Sequence, residues 1–208
     1  MALPKEILQK VEKIRVWNSP YQPEINNSTS LTLLGAGKQG AVFKIDEKRC
    51  VKVYFDNESR VKELHALQLG GMAGICPKVY FWDRNYIVME YIDSPSLIDY
   101  LHHNPLTEPL TRRILRLLDT FEEIGFNRFD HAGRHIFVMQ DDSLKVIDVV
   151  HVIKDEPVWL AEKLIADMGK YAKRFLELVR QIDPVRYYRW ITNPNFKKLE
   201  EKINRIDS

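Results

Sequence analysis

The chain has 208 residues, which suits one domain of moderate size or two lobes sharing a cleft, with room for a sizeable core. A net charge of +2 argues against a dedicated nucleic-acid or membrane surface, and no apolar run approaches the length of a membrane span. The start, Met1-Ala2-Leu3-Pro4-Lys5-Glu6, lacks the build of a signal peptide, and two cysteines (Cys50 and Cys76) exclude a disulfide framework and fit a reducing cytoplasm.

Ile7, Leu8, Val11, Ile14 and Val16 recur at nearly helical spacing, so a helix is expected over 5–17, stopped by Asn18-Ser19-Pro20. The polar stretch 21–30 reads as a loop. Leu31 to Tyr54 is rich in apolar and β-branched residues and broken by glycines. Within it Gly35-Ala36-Gly37-Lys38-Gln39-Gly40-Ala41-Val42 contains G-x-G-x-x-G, a weak pattern alone. A Walker loop fails because Lys38 is followed by Gln39. A dinucleotide fingerprint needs a helix to open at the glycines, and here strand-like residues follow on both sides of Asp46-Glu47-Lys48-Arg49. What remains is a glycine-rich flap between antiparallel strands, able to bring backbone N–H groups close to phosphate, or a plain glycine turn.

Lys52 stands between Val51 and Val53 in an apolar strand, where a lysine is costly unless paired or snorkelling from an edge. The next element, a helix over 57–69 capped by Asp56 or Asn57 and ended by Gly70-Gly71, carries Glu63 beside its apolar side. Glu63 is the expected partner, with Glu58 as the alternative. A hairpin over 80–89 completes about five strands with one helix, and Met89-Glu90-Tyr91-Ile92 leads out along an extended, proline-broken crossing. The expected division is an N-terminal lobe over 1–92 and a mainly helical C-terminal lobe over 93–208.

Leu110 to Ile124 reads as a strong helix capped by Thr107. Arg112, Arg113 and Arg116 lie on its other side, as a solvated face or a partner-binding patch. Arg128-Phe129-Asp130-His131-Ala132-Gly133-Arg134-His135 then leads into two apolar runs, 136–139 and 144–147, joined by a polar turn and closed by Asp148. A hairpin brings its ends together, so Asp130, His135 and Asp148 are expected at one sheet edge, able to hold a divalent metal and handle a proton. The alternative is that both acids are ordinary turn residues. Residues 159–182 read as one long helix whose Lys163, Lys170, Lys173 and Arg174 form ordinary helix ion pairs with Glu162, Asp167 and Glu177. Shorter helices over 184–190 and 195–206 close the chain.

Taken in order, Gly35-x-Gly37-x-x-Gly40-x-Val42, Lys52, Glu63, Met89 to Ile92, Asp130 with His135, and Asp148 resemble the protein-kinase-like superfamily. The likeness is to its small bacterial and atypical serine/threonine members, akin to the Rio type and to lipopolysaccharide core kinases. The resemblance implies an α+β, bilobal fold with a five-stranded antiparallel sheet and one helix in the first lobe and a reduced helical second lobe. It implies that Gly35, Ala36, Gly37, Lys38, Gln39, Gly40 and Val42 form a flap over ATP phosphates, and that Lys52, steadied by Glu63, holds them. Met89, Glu90 and Ile92 would line adenine, with Cys50 above it and Phe137 below. Asp130 would orient the acceptor hydroxyl and take its proton, while Asp148 and His135 would hold Mg2+, or Mn2+, which imidazole suits better. The alternative for His135 is a hydrogen bond to Asp130. The loop lysine of the family is Ala132 here, with Arg134 as its substitute. The usual Asp-Phe-Gly is Asp148-Val149-Val150, and the segment after it is short. The implied activity is transfer of the ATP γ-phosphate to a protein serine or threonine, with autophosphorylation possible. The alternatives are a small-molecule or lipid-sugar kinase, or a pseudokinase that binds without turnover.

Overall fold

The computed structural model describes residues 4–19 and 23–206; Pro20 and Tyr21, used above for a helix stop and a loop start, lie outside the described residues. The chain divides into two compact units, Met1–Asp93 and Ser94–Ser208.

The first unit opens with helix α1 (Lys5–Val11), followed by strands β1 (Arg15–Trp17) and β2 (Glu24–Asn26), which pair antiparallel. The expected helix over 5–17 therefore ends early, and the expected loop over 21–30 contains a strand. The apolar positions explain both. Ile7, Leu8, Val11 and Ile14 share a helical face, but Ile14 and Val16 also fit strand alternation, and β-branched Val16 with Trp17 favours the extended form. Tight bonds from Lys13 N–H to Lys10 O and from Ile14 N–H to Val11 O close the helix, and Val11 and Ile14 stay buried.

Strands β3 (Thr32–Gly37), β4 (Gly40–Lys44), β5 (Arg49–Tyr54), β6 (Val79–Asp83) and β7 (Tyr86–Glu90) form a five-stranded antiparallel sheet in the order β3-β4-β5-β7-β6. Alternation sends Ala41, Phe43, Val51, Val53 and Val88 into one core with Val11 and Ile14. Helix α2 (Asn57–Met72) follows β5, its first turn capped by the Asp56 carboxylate accepting from Ser59 N–H at 2.7 Å. It runs through Gly70-Gly71, where an end was expected. The exit is made instead by Gly74 at φ 75°, while the Gly70 carbonyl accepts from Ile75 and Cys76 N–H.

The second unit begins with α3 (Leu97–His103) and α4 (Glu108–Glu123), the latter capped by Thr107. The α4 arginines are spoken for: Arg112 pairs with Glu108, Arg113 with Asp142 and Arg116 with Glu123. A 3-10 turn (Gly133–His135) leads into the hairpin β8 (Ile136–Val138) and β9 (Leu144–Val146). The single helix expected over 159–182 is three pieces: α5 (Glu162–Asp167), a 3-10 turn (Gly169–Tyr171) and α6 (Ala172–Ile182). Gly169 at φ 54° breaks the ladder, which turns the apolar faces of α5 and α6 independently into the core. Helices α7 (Pro184–Ile191) and α8 (Phe196–Ile206) finish the unit. Its centre is aromatic, with Phe121 meeting Phe126 and Phe129 edge to face. Together the units make an α+β protein with eight helices among the described residues, none of them long and apolar enough to cross a membrane.

Candidate functional site

In the first unit the glycine segment is the β3–β4 hairpin itself. Gly37 pairs with Gly40 across the two-residue tip Lys38-Gln39, and the Gln39 carbonyl accepts from Phe55 N–H at 3.0 Å. The three glycines differ in what the fold asks of them. A Cβ on Gly40 would sit 2.0 Å from the Val53 carbonyl oxygen, so β5 forbids a side chain there. Gly35 and Gly37 have open space at the same point, so packing within the protein does not demand them. Bare backbone at those two positions suits close approach by an external group. Ala36 and Lys38 are exposed, and Val42 lies opposite Lys52 in the ladder.

Lys52 is buried in β5 and Glu63 is buried on α2. Their side chains meet with Nζ 2.6 Å from Oε2, while Glu58, the alternative, faces Lys62. Lys52 also lies 5.3 Å from the centre of the Tyr54 ring. Burial of both ends makes this pair expensive to strip: removing one partner costs about 3–5 kcal/mol.

Cys50 stands opposite Met89, both buried. Burial, reinforced by Glu90 and eased by Lys52, pushes the Cys50 thiol up to about 12, and the thiol points at the Glu90 carbonyl at 3.6 Å. Of the outgoing backbone donors, Glu90 N–H is taken by the Lys78 carbonyl and Tyr91 N–H by the Lys48 carbonyl. Ile92 N–H has no such bond among the described residues.

In the second unit Asp130 is clamped. Arg128 donates through Nε to Oδ1 at 2.9 Å and through Nη2 to Oδ2 at 3.0 Å, and Lys163 Nζ lies 3.1 Å from Oδ2. Burial would raise the Asp130 carboxyl, but the bonds from Arg128 and Lys163 outweigh it and hold the group below the usual carboxylate range. Lys163 therefore faces Asp130, where an ordinary helix pair with Glu162 or Asp167 was expected. Asp167 is also engaged: its Oδ2 accepts from Gly133 N–H at 2.9 Å and fixes the loop from below. Arg134, the expected cation of the loop, is exposed in the 3-10 turn.

The hairpin brings His135 and Asp148 together, with Nδ1 3.7 Å from Oδ2, and Ile147 N–H donates to the His135 carbonyl at 3.0 Å. His135 thus lies beside Asp148, and Asp130 has its own partners. Asp148 adopts φ 57°, a left-handed backbone that an aspartate tolerates better than most residues. Two donors at this separation suit a cation that keeps most of its shell as water or phosphate oxygen; among the described residues no larger cluster of His, Cys, Asp or Glu forms. Phe137 in β8 is half-buried and bridges Ser96.

Family models and curated proteins offer no match to this chain.

Further contacts had no signal in the sequence. His131 Nε2–H donates to the Ile147 carbonyl at 3.0 Å, joining the Asp130 loop to the strand before Asp148. Burial and the neighbouring His135 push this imidazole down to about 4, so it is neutral near pH 7. The segment after Asp148 is pinned as well. Val149, Val150 and Val152 are buried, Asn127 exchanges side-chain bonds with the Lys154 backbone, and Phe129 N–H donates to the Val158 carbonyl.

Proposed function

We propose that the chain is an ATP-dependent phosphotransferase of the protein-kinase-like, bilobal type, acting on a hydroxyl group, with a serine or threonine of a protein as acceptor. The observation that carries this reading is the buried Lys52–Glu63 pair, set in the sheet whose first hairpin holds two glycines that packing does not require. A buried ion pair is a poor route to stability. It is a good way to hold one ammonium in a fixed place for an anion.

Within this reading Lys52 steadies the nucleotide phosphates, and the N–H groups around Gly35 and Gly37 lie against them. Ile92 N–H and the Glu90 carbonyl offer one donor and one acceptor to adenine. Asp130, ionised at neutral pH, orients the acceptor hydroxyl. The hydroxyl oxygen bonds to the γ-phosphorus, the bond from that phosphorus to the β,γ-bridging oxygen breaks, and its electron pair leaves with ADP. The hydroxyl proton passes to Asp130. Asp148 and His135 would hold a divalent cation, Mg2+ or Mn2+, which neutralises charge on the phosphates.

The test is transfer of labelled γ-phosphate to the protein itself and to a generic serine-rich protein, with Mg2+ and Mn2+ in parallel. Asp148→Asn is the control, since asparagine also tolerates the left-handed backbone at this position. Label that depends on added metal and disappears in the control is expected. Absence of label with either metal and every acceptor would remove the reading.

A further inference from the structure

Asp130 carries more positive charge than it needs. Arg128 reaches both carboxylate oxygens, and such a two-pronged contact already neutralises the anion. Lys163 adds a second cation, so two positive groups share one negative one. Asp167, four residues further along the same helix, directs its Oδ2 to Gly133 N–H, and Lys163 Nζ is bonded to Asp130.

The two cations are also held differently. The Lys163 side chain is 61% exposed against 13% for Asp130. Its helix is anchored by Leu164 and Ile165, both fully buried, while the four-carbon stem and ammonium of Lys163 stay in water. An exposed ammonium on a flexible stem gives up such a contact at little cost. Arg128, at 28% exposure and bonded twice, stays with the carboxylate when the lysine leaves. Among the described residues Oδ1 accepts only from Arg128 Nε, which leaves it a lone pair for an incoming hydroxyl.

We propose that Lys163 is a catalytic residue, its ammonium leaving Asp130 Oδ2 to meet the equatorial oxygens of the phosphoryl group as it passes to the acceptor. The inference rests on the phosphotransferase reading above. Phosphoryl transfer needs cations where charge spreads over those oxygens, and a hydroxyl oriented by Asp130 places the reacting phosphorus beside this carboxylate. Lys163 keeps its proton and forms no covalent bond. The hydroxyl proton still goes to Asp130, and the electron pair of the broken bond still leaves with ADP. The first role of the lysine, in the resting protein, is to wait on the acid.

The experiment compares wild-type protein, Lys163→Met and Lys163→Arg in steady-state transfer from ATP, from pH 5 to 9. The expected result for Lys163→Met is a kcat lower by roughly 10²–10³-fold on the high-pH plateau, with KM for ATP unchanged. Lys163→Arg should keep a larger share of kcat. Two results would overturn the inference while leaving the phosphotransferase intact. One is a Lys163→Met variant with wild-type kcat at pH 8. The other is a variant whose acid limb moves while its plateau stays, which makes Lys163 only a tuner of Asp130. A wild-type protein that transfers nothing would bring down the phosphotransferase reading and this inference with it.

Discussion

Burial and hydrogen bonding pull the Asp130 carboxyl in opposite directions, and the bonds from Arg128 and Lys163 prevail. A carboxyl whose native value is depressed is ionised down to lower pH than usual, and its contribution to stability, and to transfer in the proposed reaction, is lost only as pH falls through that depressed value. Arg128→Ala removes the two-pronged bond and leaves the burial, so the acid limb of the rate profile should move to higher pH; a limb that stays put would detach Arg128 from the titration. At this scale the sequence was partly legible. Arg128, two positions before Asp130, is visible as a neighbour, whereas Lys163 stands beside Glu162 and four before Asp167, and those acids offer it an obvious local partner. Distance along the chain hides the contact that forms.

The glycine hairpin separates two uses of one residue type. Gly40 answers to the β5 backbone, and Gly40→Ala should destabilise the protein by about 1–3 kcal/mol in denaturant unfolding, because a Cβ there must displace the Val53 carbonyl. Gly37→Ala meets open space and should change stability by about 0.5 kcal/mol or less while weakening ATP binding by titration calorimetry. Equal loss of stability in both variants would assign the whole motif to packing. The sequence pattern treats the three glycines alike; only the approach of β5 distinguishes them. The helices tell a similar story. The break at Gly169 and the early end of α1 come where two apolar periodicities overlap or where one glycine turns left-handed, and pattern alone allows either outcome.

At the scale of the molecule, each unit has its own buried core, and both cysteines belong to the first. Cys50 is buried with its thiol pushed up to about 12, and Cys76 is buried as well. Thiolate, not thiol, reacts with disulfide reagents. Native protein should therefore show close to no titratable thiol by absorbance, and both thiols should appear on denaturation. Rapid labelling of the native chain would contradict the packing of the sheet against the Met89 side. In the second unit the segment after Asp148 is tied down by buried valines and by Asn127. Transfer should accordingly start without a lag on fresh, phosphatase-treated protein, read as label against time. A lag abolished by prior incubation with ATP would show that this segment has to be switched on.

The β4–β5 and β6–β7 hairpins, the Lys52–Glu63 pair and the hairpin that places His135 beside Asp148 all follow from patterns carried within a few tens of residues: alternation, a helix cap, a polar turn. Such local signals survive in a bare sequence because each is satisfied by neighbours in the chain. The second cation on Asp130, the Asp167 brace under Gly133 and the His131 bond to Ile147 join groups from separate elements. Those choices are made by burial. Once the aromatic centre of the second unit closes, polar groups carried inward take whichever partners the packing brings to them, and no spacing rule records which ones those are.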